Sequence, residues 1–328
     1  MTLLLILIGL ALVFDFLNGF HDSSNIVATI IFSRAMSPRK ALMMTAAAEF
    51  AGPFLFGVAV AKTIGEDIVV PGSVDTLVLV AALIAAIFWN LFTWYFGIPS
   101  SSSHALIGGI IGAVAAGAGI GAIQASGLIK VGIALFVSPI FGILVGFLIT
   151  RLAFFLSGNA TLRINTFFKN AQVLTGLGLA LSHGANDAQK TMGIITLGLV
   201  VSGTISSFEV SWWVIAISAG AIALGTAVGG WRLIKTLGGK FYKIKPIHGF
   251  TAQISSASII LAAALLGGPV STTQVVSSAI LGAGSAQRVN MVRWGVAVNI
   301  LVAWVVTIPI TIIISFVAYW LLQILFIR

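Results

Sequence analysis

The sequence predicts an all-α integral membrane protein with about ten to twelve transmembrane helices, arranged as two inverted-topology repeats that contain broken helices. Three observations predict it: a very apolar composition, two pairs of matching polar stretches, and an uneven distribution of basic residues. The 328 residues are 59% hydrophobic and 8% charged, with a mean hydropathy of +1.13. Spans of about 20 residues joined by short loops fit that length. The apolar runs are continuous rather than alternating, which argues against a β-barrel.

The composition also excludes several classes of protein. Without cysteine, the chain has no disulfide, no thiol nucleophile and no cysteine metal site. The net charge of +9 is interpreted as basic loops that fix the orientation in the membrane, and not as a nucleic-acid surface. The first residues lack a basic segment, so we expect them to stay as a helix rather than to be cleaved as a signal. No resident cofactor is expected.

The first pair of polar stretches places two aspartates inside apolar runs. Residues 19–25 read Gly-Phe-His-Asp-Ser-Ser-Asn, and residues 183–190 read His-Gly-Ala-Asn-Asp-Ala-Gln-Lys. Asp22 aligns with Asp187, 165 positions later. An ionised carboxylate at the centre of a bilayer costs about 2.5 to 3.5 kcal/mol, so both aspartates need a functional reason. One polar break in each half is typical of a transporter site.

The second pair of stretches is rich in hydroxyl groups. Residues 97–104 read Gly-Ile-Pro-Ser-Ser-Ser-Ser-His, and residues 267–274 read Gly-Gly-Pro-Val-Ser-Thr-Thr-Gln, 170 positions later. A proline close behind a glycine predicts a helix break at each stretch. The helix that restarts there directs free N–H groups and the positive end of its dipole at one place, which suits an anion. The alternative is that these hydroxyls only bond to their own helix or pack closely against a neighbour.

The apolar runs divide the chain into two halves, residues 1–151 and 152–328. The first run extends over residues 2–32 and is followed by predicted spans at 41–61, 76–96, 104–121 and 128–150. In the second half, the run around Asp187 precedes spans at 211–231, 247–267 and 270–285. The last run, 294–327, is either one tilted span with a surface segment or two short spans broken at Pro309.

Basic residues predict the orientation of these spans. Thirteen of the seventeen Lys and Arg residues fall on one side, assigned to the cytoplasm, and five of them lie in a basic loop at 232–245. Lys62, Lys130 and Arg328 fall outside, and Lys190 falls within the membrane. The N-terminus is therefore predicted outside, and an odd number of spans in the first half inverts the second half.

The aspartates and their neighbours form a candidate site for ions. Carboxylates with the amide oxygens of Asn25, Asn186 and Gln189 offer hard ligands for a small cation. A carboxylate can also accept the P–OH proton of hydrogen phosphate, which sulfate lacks. Two carboxylates and a divalent anion repel one another in a low-dielectric site, so binding of the anion there requires co-bound Na⁺ or H⁺.

Four further residues are possible contributors. Lys190 is either a direct partner of the anion or a structural ion pair with Asp187. Glu49 is either a ligand of the coupling ion or a hydrogen-bond partner between helices. His104 is either a proton carrier or a helix histidine with a local partner, and Gln274 is its equivalent in the second half.

At these residues the chain closely resembles the inorganic phosphate transporter (PiT) family of secondary transporters. The resemblance implies phosphate uptake by cation symport, substrate binding between the halves, and a homodimer. We assign the coupling cation, Na⁺, to Asp22, Asn186 and Asp187. Phosphate binding is assigned to Asn25, Ser101, Ser102, Ser103, Gln189, Ser271, Thr272 and Thr273.

The predicted function is therefore a Na⁺-coupled phosphate symporter that works by alternating access in the cell membrane, the inner membrane of a bacterium. The predicted partners are inorganic phosphate, the sodium ion and the lipid bilayer, without nucleic acid. Alternatives within the same class are an H⁺-coupled phosphate permease and a sulfate permease. An intramembrane aspartyl protease is a further alternative, although no Gly-x-Gly-Asp sequence precedes either aspartate. An anion channel would conduct without dependence on a cation gradient.

Overall fold

Twelve α-helices account for most of the described structure, a computed structural model that covers residues 2–70, 72–161, 163–239 and 241–326. Within these ranges the β-structure is limited to one isolated bridge, between Val69 and Ile123. Lys240 and Arg328, two of the basic residues used to predict orientation, lie outside the described residues. The helices are α1 (Thr2–Phe32), α2 (Pro38–Phe56), α3 (Ala59–Lys62), α4 (Thr76–Phe96), α5 (Ser102–Gly117), α6 (Ala125–Leu156), α7 (Ile164–Val201), α8 (Trp212–Val228), α9 (Trp231–Gly239), α10 (Pro246–Leu265), α11 (Thr272–Gln287) and α12 (Trp294–Phe326).

The order of elements in α1–α6 recurs in α7–α12. A long helix with a polar centre comes first in each group, α1 and α7. A sharply bent pair follows, with α2 and α3 at 75° and α8 and α9 at 70°. Next come a two-helix hairpin, α4–α5 or α10–α11, and a last long helix, α6 or α12. The groups are joined between Leu156, the last residue of α6, and Ile164, the first residue of α7, whereas the boundary predicted after residue 151 lies within α6.

Local sequence signals set several helix ends. Pro38 and Pro246 are the first residues of α2 and α10, where a missing N–H has no consequence. Asp75 caps α4 by accepting a 2.9 Å hydrogen bond from the N–H of Val78. The hairpins turn at Gly97 and Gly267, which both adopt left-handed backbone conformations, and extended residues then lead into α5 and α11. The helix breaks predicted at Pro99 and Pro269 are therefore present.

The outer helices have the surface of a membrane protein. α6 and α12, of 32 and 33 residues, bury only a narrow stripe of side chains and expose large apolar residues on the remaining surface. The buried stripe of α12 includes Thr307, Thr311 and Ser315, and Gly108 of α5 packs against Thr311. Among the described residues, five helices are long and apolar enough to cross a membrane, and the number is seven if each bent pair is one span. The chain is a multi-pass membrane protein, and its predicted all-helical fold class is confirmed.

The two groups of helices are intertwined rather than side by side. α1 of the first group packs against α8 of the second so closely that a Cβ on Gly19 would lie 2.0 Å from the carbonyl oxygen of Ile222. α7 packs in the same way against α2, with Gly184 against the carbonyl of Glu49. The polar centres of α1 and α7 are thereby brought together in the middle of the molecule.

The structure corrects two predictions about individual helices and decides between two alternatives for the last apolar run. The stretches around Asp22 and Asp187 are not breaks: α1 and α7 run through them as continuous helices, because their polar side chains find partners in other helices. The predicted spans at 41–61 and 211–231 are interrupted by bends at residues 57–58 and 229–230. The last run is one long helix that continues through Pro309, so two short spans are excluded.

Candidate functional site

Four chain segments converge at the centre of the protein. They are the polar stretches of α1 and α7 and the two hairpin turns, where α5 and α11 begin. Asp22, Ser102, Asp187 and Thr272 each expose 1% of their surface or less. Polar groups buried to this degree need partners within the protein, so the cluster must be read as one hydrogen-bonded network.

Asp22 is held by side chains from both hairpins. Its Oδ1 accepts a hydrogen bond from Oγ1 of Thr273 at 2.9 Å and lies 3.0 Å from Nδ1 of His21. Its Oδ2 accepts weaker bonds from Thr272 at 3.3 Å and from Ser102 at 3.4 Å. The carboxylate is thus a junction between α1 and the starts of α5 and α11.

Asp187 has a comparable set of partners. Its Oδ1 accepts a 2.7 Å bond from the ammonium of Lys190, one turn later on α7. Its Oδ2 accepts bonds from Nδ2 of Asn18 and from Oγ1 of Thr272, both at 3.2 Å. Asn18 in turn accepts a 2.6 Å bond from Ser102, which connects this carboxylate to the first hairpin.

Thr272 and His183 stand between the two carboxylates. The Thr272 hydroxyl lies within reach of both, and Nε2 of His183 is 3.9 Å from Oδ2 of Asp22 and 3.5 Å from Oδ2 of Asp187. Nδ1 of His183 lies 2.8 Å from Oε1 of Glu49. One ligand atom each from Asp22, His183 and Asp187 fits within 4.8 Å. Such a group can hold a small cation on its carboxylates or a proton on its imidazole.

The charges of this region do not balance within the protein. The carboxylates of Asp22 and Asp187 carry two negative charges when both are ionised, whereas Lys190 is the one buried lysine or arginine among the described residues. Two unit charges 4 Å apart interact by about 4 kcal/mol at an effective dielectric constant of about 20. A site with this excess of negative charge attracts cations, and it can accept an anion only together with them.

The hairpin turns also present two helix N-termini to the centre. Ser101 accepts a 3.1 Å bond from the N–H of His104 and caps α5, while Ser271 accepts a 3.3 Å bond from the N–H of Gln274 and caps α11. Each helix therefore directs the positive end of its dipole toward the cluster, which favours negative charge there.

The match to known proteins extends over nearly the whole chain. The model of the phosphate transporter family matches residues 18–163 and, separately, residues 156–315. The chain belongs to the phosphate transporter family. As a member, it is a transporter and not an enzyme, and the resemblance found in its motifs is confirmed.

Individual relatives agree with this membership. A "Probable low-affinity inorganic phosphate transporter" of Bacillus subtilis (strain 168) is 44% identical over 99% of this chain and 98% of its own length. The protein of the same name in Rhizobium meliloti (strain 1021) is 45% identical over 97% and 96%. A solved structure described as "The sodium-dependent phosphate transporter" superposes with a TM-score of 0.89 at 27% identity, covering 99% of this chain and 100% of that one.

Most residues predicted for the site of this phosphate transporter family member lie in the central network. Asn25 donates a 3.1 Å bond from Nδ2 to Oγ1 of Thr273. Ser103 donates a 3.0 Å bond to the carbonyl of Val270 and accepts one from Lys190 at 2.5 Å. The predicted residues brought together are Asp22, Asn25, Ser102, Ser103, Asp187, Lys190, Thr272 and Thr273.

Two predicted residues instead stabilise backbone breaks. Oε1 of Gln189 accepts bonds from the N–H groups of Val60 at 2.8 Å and Ala61 at 3.2 Å, and its Nε2 donates to the carbonyl of Gly57 at 2.7 Å. Both ends of this side chain are engaged at the bend between α2 and α3, so in this arrangement Gln189 is not part of the central network. Asn186 donates a 3.0 Å bond from Nδ2 to the carbonyl of Gly268 at the second hairpin turn, with its Oδ1 unpaired among the described residues.

The possible contributors divide into two groups. Glu49 reaches the centre through His183, as described above. Nε2 of His104 lies 3.4 Å from Nε2 of Gln274, and its Nδ1 lies 2.7 Å from the Ser101 hydroxyl. This pair borders a largely apolar cavity of about 340 Å³ beside α6 and α12, at the edge of the network.

Sequence reasoning missed Asn18. It treated His183 as a residue beside the aspartate, either a proton carrier or a helix histidine with a local partner, and did not assign it to the site. The repeat relates these two residues to each other. Asn18 is four residues before Asp22 and His183 is four residues before Asp187, so Asn18 and His183 occupy equivalent positions. A residue four positions away lies on the same helix face, which places each beside its aspartate.

Proposed function

We propose that this member of the phosphate transporter family is a Na⁺-coupled phosphate symporter that works by alternating access. The single observation that carries the proposal is the buried pair Asp22 and Asp187, joined by the Thr272 hydroxyl at 3.3 and 3.2 Å and set between two helix N-termini. Cation ligands and anion donors are thereby combined at one buried place.

Phosphate is the substrate that the donors fit. The hydroxyls of Ser102, Ser103, Thr272 and Thr273 stand at the positive ends of α5 and α11 and can donate to phosphate oxygens once they rotate away from their present acceptors. The aspartates can accept the P–OH hydrogen of hydrogen phosphate, a bond that sulfate cannot form. The relatives from Bacillus subtilis and Rhizobium meliloti are named as inorganic phosphate transporters, which supports this substrate.

Sodium is the coupling ion that the ligands favour. Besides nitrogen groups, the site contains the carboxylate oxygens of Asp22 and Asp187 and the hydroxyl oxygens of Thr272 and Thr273, and oxygen atoms are the ligands that hard cations prefer. The excess of buried negative charge requires a cation to accompany the anion. The neighbour of known structure is described as sodium-dependent, in agreement with this choice.

The basic loops support the proposed orientation in the membrane. Arg34, Lys169, Lys243, Lys245 and Arg293 line one cavity of about 710 Å³, so the loops that carry them lie at the same end of the molecule. We propose that this end faces the cytoplasm and that the N-terminus of α1 lies outside. A homodimer in a bacterial inner membrane is the assembly that we expect.

A specific observation favours H⁺ as a second candidate for the coupling ion. His183 has Nδ1 beside Glu49 and Nε2 facing the oxygens of both aspartates. Only the imidazolium form can donate from both nitrogens at once, so a proton bound here would be held by three carboxylates.

Uptake of radioactive phosphate into proteoliposomes distinguishes these candidates. An inward Na⁺ gradient at equal pH should drive concentrative uptake, and a tenfold excess of sulfate should leave it unchanged. Uptake driven by a pH gradient alone would replace Na⁺ by H⁺ and move the coupling to His183. Strong competition by sulfate would reject the phosphate assignment.

A further inference from the structure

The two groups of helices carry different residues at one equivalent position of the site. Lys190 follows Asp187 by three residues, and Asn25 follows Asp22 by three residues, so the two are equivalent. Their hydroxyl partners are also equivalent, since Thr273 lies 170 positions after Ser103 in the matching hairpins. The first group of helices thus has a neutral amide where the second has a positive charge.

The ammonium of Lys190 has an environment of the kind that a bound cation has. Nζ lies 2.7 Å from Oδ1 of Asp187, 2.5 Å from Oγ of Ser103 and 3.1 Å from the carbonyl oxygen of Val270. These three oxygens match the three N–H groups of an ammonium. No donor remains for a phosphate oxygen in this arrangement, which favours the ion pair over direct anion binding for Lys190.

The equivalent place in the first group has the neutral side chain of Asn25 instead of a lysine. Asn25 donates to Thr273 from Nδ2, and Thr273 donates to Oδ1 of Asp22. Oδ1 of Asn25 is buried and has no hydrogen-bond partner among the described residues. An unpaired acceptor atom therefore remains in the first group at the position where the second group has the Lys190 side chain.

We propose that Lys190 is a tethered cation that takes the place of one coupling ion in the second group of helices. This proposal rests on the Na⁺ coupling proposed above. Because the ammonium cannot leave, it neutralises Asp187 in every state of the cycle, including the return of the empty carrier. The chain then moves one Na⁺ fewer for each phosphate than it would with a neutral residue at position 190.

Equilibrium dialysis of the purified protein against ²²Na⁺ tests the replacement without transport. Lys190→Asn places in the second group the asparagine that the first group has at the equivalent position, Asn25. This variant should bind one more Na⁺ per protein than the unmodified chain. Lys190→Arg should leave the number unchanged. Lys62→Asn is the matched control, because Lys62 is exposed and its ion pair with Glu66 spans 3.7 Å.

The stability of the same variant provides a second readout. Lys190→Asn should unfold at a lower temperature in choline chloride and recover in NaCl, because Na⁺ replaces the lost ammonium beside Asp187. An unchanged Na⁺ count in folded Lys190→Asn would overturn the proposal, and so would aggregation of this variant in both salts.

Transport distinguishes failure of this inference from failure of the proposed function. Absence of Na⁺-driven uptake by the unmodified protein would reject Na⁺ coupling itself. With coupling present, the ratio of ²²Na⁺ to phosphate taken up should rise by one in Lys190→Asn and fall by one in Asn25→Lys. An unchanged ratio in active Lys190→Asn would contradict the tethered-cation role.

Discussion

Asn18 donates a 3.2 Å hydrogen bond to Asp187, although the two residues are 169 positions apart. The equivalent of Asn18 in the second group of helices is His183, whose Nε2 lies 3.9 Å from Asp22, the equivalent of Asp187. In each group of helices, one side chain therefore lies beside the aspartate of the other group. A rearrangement of one group relative to the other changes both contacts at once, as alternating access requires.

Replacement of Asn18 should weaken this cross-contact. Asn18→Leu removes the bond to Asp187 and the acceptor for Ser102, at an expected cost of about 1 to 2 kcal/mol. Thermal unfolding in detergent should show a lower midpoint, and phosphate uptake should fall. Asn90→Leu is the matched control, because Asn90 is buried on α4 and neither polar atom of its side chain has a partner among the described residues. Equal losses in the two variants would contradict this role of Asn18.

The bridging hydroxyl of Thr272 should be needed for coupling. Thr272→Val keeps the shape of the side chain but leaves two carboxylates without their shared donor, so kcat/KM for phosphate should drop by about tenfold or more. Thr272→Ser should restore most of the rate. Thr196→Val changes another buried threonine, whose hydroxyl has no partner among the described residues, and should leave uptake unchanged. Full activity of Thr272→Val would show that the bridge is dispensable.

Gln189 should affect stability and not substrate affinity. Gln189→Leu leaves the N–H groups of Val60 and Ala61 unpaired at the bend between α2 and α3. The expected loss is about 1 to 3 kcal/mol of stability, seen as a lower unfolding temperature. KM for phosphate should stay the same in the folded fraction. A large rise in KM with unchanged stability would return Gln189 to the phosphate site.

The hairpin turns should require glycine. Gly97→Ala and Gly267→Ala place a Cβ on left-handed residues, which costs about 1 kcal/mol or more. Gly267→Ala should lower the unfolding temperature more than Gly97→Ala, because its Cβ would lie 3.1 Å from the carbonyl oxygen of Ala59 and 3.2 Å from Oγ1 of Thr63. Gly178→Ala, at a helical position with open space, should be neutral or stabilising. Unfolding temperatures of the three variants check this order.

Features with local causes were predictable from the sequence. Hydropathy predicted the span 76–96, and α4 has the same bounds. The breaks at Pro99 and Pro269 followed from proline, glycine and the hydroxyl run that caps the next helix. Equivalence of Asp22 and Asp187 followed from the repeat, and the structure brings both aspartates to one hydroxyl.

Features that depend on distant partners were not predictable in this way. The polar stretch of α1 stays helical because Thr272 and Thr273, 250 residues later, hold its aspartate. The bend at residues 57–58 is stabilised by Gln189, and the bend at 229–230 by a 3.0 Å bond from the N–H of Gly230 to Ser23. Hydropathy cannot report these contacts, since each joins segments that are remote in the chain.

Uptake of phosphate under an inward Na⁺ gradient, with Asp22→Asn and Asp187→Asn beside the unmodified protein, tests the central claim most directly. Glu209→Gln, at an exposed acid in a loop, is the control. The proposed mechanism predicts concentrative uptake by the unmodified protein and the control, and its loss in both aspartate variants. Asp22→Asn weakens the hold on Na⁺, and Asp187→Asn leaves the buried ammonium of Lys190 without its carboxylate partner. Sodium-driven uptake at the unmodified rate in either aspartate variant would contradict it.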